Sequence, residues 1–166
     1  LTAISTTMRY DAGAFPGSPV ARGLLVGLAP YKLDNMLAEG FDVLTNKPRV
    51  QAYRAPGGTP AAFAVESLMD GLAEEIGVDP LEFRQKNAAE EGDTLPLGMP
   101  LNRIGLTEML GQIQKHPCWT TPLEGANRGR GLALGYWIGG SFTSSAEIKI
   151  NPDATASIFV GTGDLT

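Results

Sequence analysis

The chain has 166 residues, 43% hydrophobic and 19% charged, with a formal net charge of −5. Such a length fits one domain, or two small lobes, and the apolar share is that of a globular chain, not a disordered one. The acidic balance argues against a nucleic-acid surface, and a single cysteine, Cys118, excludes an internal disulfide or a cysteine-built zinc or iron–sulfur site.

The chain opens at Leu1 in what reads as mid-strand, with no initiator Met and no signal-peptide pattern. Residues 2–9 alternate loosely and carry Thr and Ile, as a strand does, and Asp11, Gly13, Pro16 and Gly17 are expected to break it. Residues 20–28 are apolar with helix-compatible spacing, although two glycines interrupt them. Residues 41–45 read as a short strand before a turn at Pro48.

The best-signalled element is a helix over 60–76. Thr59 is its expected cap, and Pro60 suits the first helical position, where a missing N–H costs nothing. Val65, Leu68, Met69, Leu72 and Ile76 make one apolar stripe, and Gly77 supplies the stop. Asp79-Pro80-Leu81-Glu82 then opens a second helix with an acidic cap, a proline at N1 and a glutamate at N3, the arrangement of a capping box. Leu106, Met109, Leu110 and Ile113 fall in step and predict a third helix over 106–115.

After Pro122 the texture changes. Residues 130–138 form an apolar run broken by glycine, while 147–150 and 155–160 alternate with period two. Asn151-Pro152-Asp153-Ala154 joins the last two as a turn, which predicts a β-hairpin with the preceding run paired to it. Residues 158–166 read as a strand running into a glycine loop. Both ends therefore read as cut, and the chain as an excised segment of a larger protein. The predicted class is α+β, a mixed plan with an N-terminal strand, central helices and a C-terminal antiparallel hairpin or sheet.

Most candidate chemistry in the sequence is weak. Gly161-Thr162-Gly163 lacks the third glycine and the following helix of a dinucleotide site. His116, the only histidine, sits between Lys115 and Pro117 at a helix end and reads as an exposed residue favoured by the dipole there. Cys118 has no histidine partner beyond that neighbour, which argues against a cysteine nucleophile. Glu74, Glu75, Glu90 and Glu91 are expected on a solvated face. No catalytic residue and no metal ligand is assigned.

The stretch Tyr53-Arg54-Ala55-Pro56-Gly57-Gly58 differs, because it places an arginine on a Gly- and Pro-shaped loop directly before a helix. A helix N-terminus offers unpaired N–H groups and a positive dipole end, and a guanidinium adds forked donors. An oxyanion would be stabilised there. The spacing equally allows Arg54 to pair with a nearby carboxylate and Gly57-Gly58 to be only a tight turn.

At these residues the sequence resembles the molybdopterin-binding large subunit of the xanthine dehydrogenase and aldehyde oxidase family of molybdenum hydroxylases. Asp11-Ala12-Gly13-Ala14-Phe15 resembles the family's Asp-x-Gly-Ala-aromatic strand end. Ala29-Pro30-Tyr31 through Asn35 is similar to its Gly-Pro-Tyr-x-Ile-Pro-Asn segment, with Leu33 and Asp34 in place of Ile and Pro. Thr45-Asn46, Ala52-Tyr53-Arg54-Ala55-Pro56-Gly57, residues 63–73 and Asp79-Pro80-Leu81-Glu82-Phe83-Arg84-Gln85-Lys86-Asn87 follow in the family's order. Phe159-Val160-Gly161-Thr162-Gly163-Asp164-Leu165 resembles the strand entering its next pterin-binding loop.

The resemblance implies that Arg54 contacts a molybdenum–molybdopterin cofactor in the full-length protein, with Tyr53, Ala55, Pro56, Gly57 and Gly58 shaping the approach. Pro56 stands where xanthine oxidases carry a ring-stacking phenylalanine, which argues against purine-type stacking. Ala55 stands where carbon monoxide dehydrogenases carry a copper-binding cysteine, which argues against that reaction. The family's catalytic glutamate and its Gly-Gly-x-Gly-Gly loop lie outside the matched residues.

The implied activity is oxidative hydroxylation of an aldehyde or N-heterocycle with water as oxygen source, electrons passing to iron–sulfur and FAD subunits or domains. These residues alone are expected to hold no cofactor and to be inactive. The implied division is 1–58, the end of a first molybdopterin-binding lobe; 59–122, a helical segment; and 123–166, the start of a second, β-rich lobe. Two rival readings remain: a non-catalytic assembly or interaction module, and a small anion-binding domain complete in itself. A reducing cytoplasm is the expected compartment, no nucleic acid or membrane partner is expected, and unpaired strand edges predict self-association.

Overall fold

A computed structural model describes residues 1–139 and 143–161. The element order is β1 (Ile4–Gly13), α1 (Val20–Leu28), β2 (Met36–Leu44), α2 (Gly58–Glu75), α3 (Pro80–Asn87), α4 (Leu106–Lys115), α5 (Pro117–Thr120), β3 (Ala146–Ile150) and β4 (Ala156–Val160). The mixed helix-and-strand class expected from the sequence is the one observed. Among the described residues no helix is long and apolar enough to cross a membrane.

The N-terminal half is built on a parallel pair. β1 and β2 run side by side from Ile4↔Met36 to Gly13↔Leu44, with a register shift between Asp11 and Gly13. Parallel neighbours need a crossover, and α1 provides it. Two expectations are corrected here. Asp11 and Gly13 do not break the first strand, because Thr45 N–H donates to the Gly13 carbonyl and holds the backbone extended to that point. The second strand starts at Met36, five residues before the expected 41, since pairing with β1 overrides the polar Glu39 and Gly40 in its middle.

Helix α2 begins two residues earlier than expected. Gly57 is its N-cap in a left-handed conformation, φ +80°, and no side chain caps it, so Thr59 lies inside the helix and Pro60 at its third position. The buried face is Ala61, Val65, Glu66, Met69 and Ala73. This stripe is rotated from the expected one, leaving Leu68 and Ile76 exposed. Gly77 closes the helix at φ +66°: its N–H donates to Glu74 O, and Val78 N–H donates to Ala73 O. Those are the two bonds of a Schellman stop.

Asp79 caps α3 as expected, its carboxylate accepting from Leu81 and Glu82 N–H at 2.8 and 3.1 Å. The capping box is not completed, since Glu82 turns to Lys86 one turn later, at 2.6 Å. Helix α4 spans the expected residues and buries Leu106 and Leu110. His116 ends it, exposed, and its Nδ1 accepts from Cys118 N–H at 3.1 Å, so its local role is to cap α5. Glu74, Glu75, Glu90 and Glu91 are exposed, as expected.

One core joins these parts. Met8 of β1, Leu28 and Tyr31 at the end of α1, Val65 and Met69 of α2, Leu81 and Phe83 of α3, Leu110 of α4 and Leu134 belong to the same buried cluster. Each large apolar side chain buried there contributes about 1.5–3 kcal/mol before entropy is subtracted.

Strands β3 and β4 form the expected hairpin, antiparallel from Ala146↔Val160 to Ile150↔Ala156. Residues 130–138 do not join it, contrary to expectation; they form no strand. Their backbone bonds elsewhere: Leu134 N–H donates to the Glu66 carboxylate at 2.7 Å. Residues 162–166 of the glycine loop lie outside the described residues.

Candidate functional site

The loop between β2 and α2 is held at both ends. At its start, Ala14 N–H donates to Lys47 O and Val50 N–H to Ala12 O, lacing residues 45–50 to the end of β1. Asp11 ties the same corner: its carboxylate accepts from Lys47 Nζ and Thr45 Oγ1, each at 2.6 Å, and from Gly13 N–H at 2.9 Å. The Lys47 bond, then the Thr45 and Gly13 bonds, stabilise the ionised carboxyl and lower its pKa to about 2.

At its far end the loop is locked by Gly57. Tyr10 Oη donates to the Gly57 carbonyl at 2.8 Å, which aims a side chain of β1 at the entrance of α2. A Cβ on Gly57 would lie 2.2 Å from the Pro19 carbonyl oxygen, and φ +80° disfavours any other residue, so glycine is required twice over.

Between these anchors the chain turns sharply. Arg54 and Ala55 take φ +22° and +54°, unusual for residues with a Cβ, and Gly58 N–H closes the turn on Ala55 O at 2.9 Å. Tyr53 is 88% exposed and Arg54 is exposed. Among the described residues Arg54 forms no ion pair; the pairs found among them involve Lys32, Lys47, Arg84 and Lys86. The alternative of a carboxylate partner for Arg54 is therefore not realised there, whereas the tight turn is.

The site so assembled has a forked cation three residues before a buried Gly-Gly pair, then a helix N-terminus with no capping side chain. None of these groups carries negative charge; the guanidinium and the positive end of α2 attract anions, although Gly58 N–H is spent on Ala55 O and Pro60 has no N–H. A donor set of this kind suits the anionic and oxo groups of a metal-bound pterin.

Beside the loop lies an open cavity of about 290 Å³, lined by Val26, Ala55, Gly58, Thr59, Ala62, Gly135, Tyr136 and Trp137. Two atoms of the six-membered ring of Trp137, Cζ3 and Cε3, lie 3.6 and 3.7 Å from where a Cβ on Gly58 would sit.

Sequence reasoning missed the residues that hold this geometry. Tyr10 and Trp137 lie far from the loop in sequence, and nothing local marks them. Glu66 and Arg84 are the second omission. Arg84 is fully buried and Glu66 is 5% exposed. Arg84 Nε donates to Glu66 Oε2 at 2.9 Å, and its other nitrogens reach Asp70, Pro80 O and Glu66 O. Tyr31 Oη and Leu134 N–H donate to the same Glu66 carboxylate. Burial, then the Glu66 bond, pushes the Tyr31 phenol well above its ordinary range. Burial opposes the Arg84 charge, but the Glu66 bond and the neighbouring charges outweigh it and raise its pKa. The available signal was phase: Glu66 falls on the same face of α2 as Val65, Met69 and Ala73.

Comparison with known proteins gives a consistent result. Residues 1–88 match the family model of the molybdopterin cofactor-binding domain. The aldehyde oxidoreductase of Megalodesulfovibrio gigas is 35% identical over 141 residues, 78% of this chain and 15% of that protein. A putative xanthine dehydrogenase molybdenum-binding subunit of Escherichia coli is 33% identical over 134 residues, 73% of this chain and 18% of that protein. The crystal structure of the aldehyde oxidoreductase from Desulfovibrio desulfuricans superposes with a TM-score of 0.79 at 29% identity, covering 95% of this chain and 19% of that one. The chain thus spans under one fifth of the length of each of these proteins.

Proposed function

Since this chain belongs to the molybdopterin cofactor-binding domain family of molybdenum hydroxylases, we propose that it forms one wall of a molybdenum–molybdopterin site. Arg54 is the contact residue in this reading. Tyr53, Ala55, Pro56, Gly57 and Gly58 shape the approach, and the positive dipole end of α2 adds stabilisation. The observation that carries it is the exposed Arg54, without a carboxylate partner among the described residues, on a strained turn anchored by Tyr10 and Gly57. Strain of this kind costs about 1–3 kcal/mol per residue and tends to persist where it serves a site.

The cofactor, when bound, supplies the redox chemistry that oxidatively hydroxylates a substrate carbon with oxygen from water. The residues of this chain bind and orient. Arg54 offers two parallel donors to an oxyanion, and the Gly57-Gly58 backbone lets a ligand approach closely. Relatives named for aldehydes and for xanthine support an aldehyde or N-heterocycle as the substrate class. Relatives named as molybdenum-binding subunits support iron–sulfur and FAD partners that carry electrons away.

The 166 residues alone hold too little of such a site to turn over substrate, and their three segments, 1–58, 59–122 and 123–166, are parts of larger lobes. The exposed hairpin face promotes self-association of the isolated chain, and the cytoplasm is the compartment. Metal and pterin analysis of the protein purified with its flanking sequence tests this reading. Molybdenum together with a pterin supports it, and a metal-free, catalytically silent protein contradicts it.

A further inference from the structure

Residues 131–138 form no strand, and among the described residues their one hydrogen bond is Leu134 N–H to Glu66 Oε2, at 2.7 Å. Three residues later, Trp137 lies against Gly58 at the start of α2. Glu66 and Gly58 stand eight residues apart on one face of that helix, about 12 Å along its axis. Three residues of chain reach about 10 Å at most. The stretch from Leu134 to Trp137 is therefore drawn nearly straight along α2, pegged at one end by a carboxylate and ending at the other on the helix entrance. The face it follows suits a close approach: Gly58, Ala62 and Glu66 fall at i, i+4 and i+8, and the first two are small. The peg itself cannot turn freely. Its Oε2 accepts from Arg84 Nε at 2.9 Å as well as from Leu134, and its Oε1 accepts from Tyr31 Oη at 2.5 Å, so any rotation of the buried carboxylate breaks a charge-assisted bond.

We propose that Glu66 is a positioning residue of the cofactor wall: by fixing Leu134 it holds the 134–137 segment against Gly58 and braces the Arg54–Gly58 turn, as a second support beside the Tyr10 bond to Gly57. It acts through Leu134 and Trp137 and touches no ligand itself. The inference rests on the cofactor-site reading for the use of that wall. It adds that the shape of the wall is set from the interior, by a carboxylate eight residues into α2, and not by the loop alone.

Two double variants of the protein purified with its flanking sequence separate positioning from stability. Glu66→Gln with Arg84→Met and Glu66→Leu with Arg84→Met both remove the buried charge pair, an exchange that is commonly neutral when both partners go together. Glutamine keeps an oxygen for Leu134 N–H, and its NH2 can donate to Tyr31 Oη; leucine keeps the bulk and offers no acceptor. The readout is hydrogen exchange by mass spectrometry at the Gly58 amide, which is bonded to Ala55 O in the native turn. It is expected to exchange about tenfold faster in the leucine pair than in the glutamine pair, the ratio set by one buried hydrogen bond, with α4 amides equal in the two. The leucine pair is also expected to retain less molybdenum and pterin. Equal Gly58 exchange, acceleration shared equally by α4, or equal cofactor content in the two pairs overturns the proposal.

The native protein supplies a second measurement that needs no variant to fold. Across low urea concentrations its Leu134 and Gly58 amides are expected to open together, with one urea dependence, and separate openings overturn the proposal. Neither exchange measurement depends on Arg54. A failure here leaves the Arg54 prediction standing, and a failure at Arg54 leaves the brace to be judged on exchange.

Discussion

Glu66 on α2 and Arg84 on α3 form a buried ion pair, Nε to Oε2 at 2.9 Å, with side-chain exposures of 6% and 0%. The pair is the hub of the molecule: through Glu66 it also holds Tyr31 after α1 and the backbone at Leu134. Arg84→Met leaves that carboxylate buried with its principal charge partner gone. Such a loss costs about 3–5 kcal/mol. Urea unfolding of Arg84→Met is expected to show it, with a near-normal midpoint for Arg84 variants as the contrary result.

The hydroxyl of Tyr10 contributes more to the loop than to global stability. Tyr10→Phe removes one hydrogen bond to the Gly57 carbonyl and is expected to cost about 0.5–1.5 kcal/mol. Hydrogen exchange reads the local effect: amides from Arg54 to Gly58 should exchange faster, while α4 amides should not change. Equal acceleration in both places would mean that Tyr10 serves the core alone.

Asp11 gives the chain an acid-sensitive corner. Its folded pKa, about 2, lies below that of an unfolded aspartate, about 4. The stabilisation is therefore complete above the unfolded value and disappears as pH falls through the folded one. Carbon-13 titration of the Asp11 carboxyl should give a midpoint near 2, and Asp11→Asn should flatten the loss of stability between roughly pH 4 and pH 2. A midpoint at the ordinary carboxylate position would show that the Lys47 and Thr45 bonds do not persist in solution.

The hairpin exposes an apolar face. Ile148 and Ile158 are cross-strand partners, 64% and 63% exposed, with Ile150 and Val160 on the same side. Ile158→Lys should lower the sedimentation coefficient of the isolated chain at high concentration by shifting it toward monomer. A native chain that already sediments as a monomer at those concentrations removes the basis for self-association.

Local signals in this sequence were read well, and long-range ones were not. The extent of α1 and α4, the Gly77 stop and the Asp79 cap each depend on a few adjacent residues, and each is found as expected. The start of α2 was displaced because Thr59-Pro60 is the stronger local signal, whereas Gly57 acts as cap through the Tyr10 and Pro19 contacts that only the tertiary fold supplies. β1 runs on through Asp11 because Lys47 and Thr45 absorb the carboxylate that would otherwise favour a turn. Residues 130–138 look like a strand by apolarity, but the acceptor for Leu134 is a glutamate 68 positions away. At the candidate site, Tyr53 to Gly58 was legible as a motif; the aromatic surface facing it was not, since Trp137 reaches it only once Glu66 fixes the segment before it.

The most direct measurement is the molybdenum and pterin content of Arg54→Ala, purified with its flanking sequence and compared with the native protein and with Arg54→Lys. The account predicts loss of most bound cofactor in the alanine variant and partial retention in the lysine one, because charge survives but the forked donors do not. An alanine variant that keeps the native metal and pterin content would contradict it.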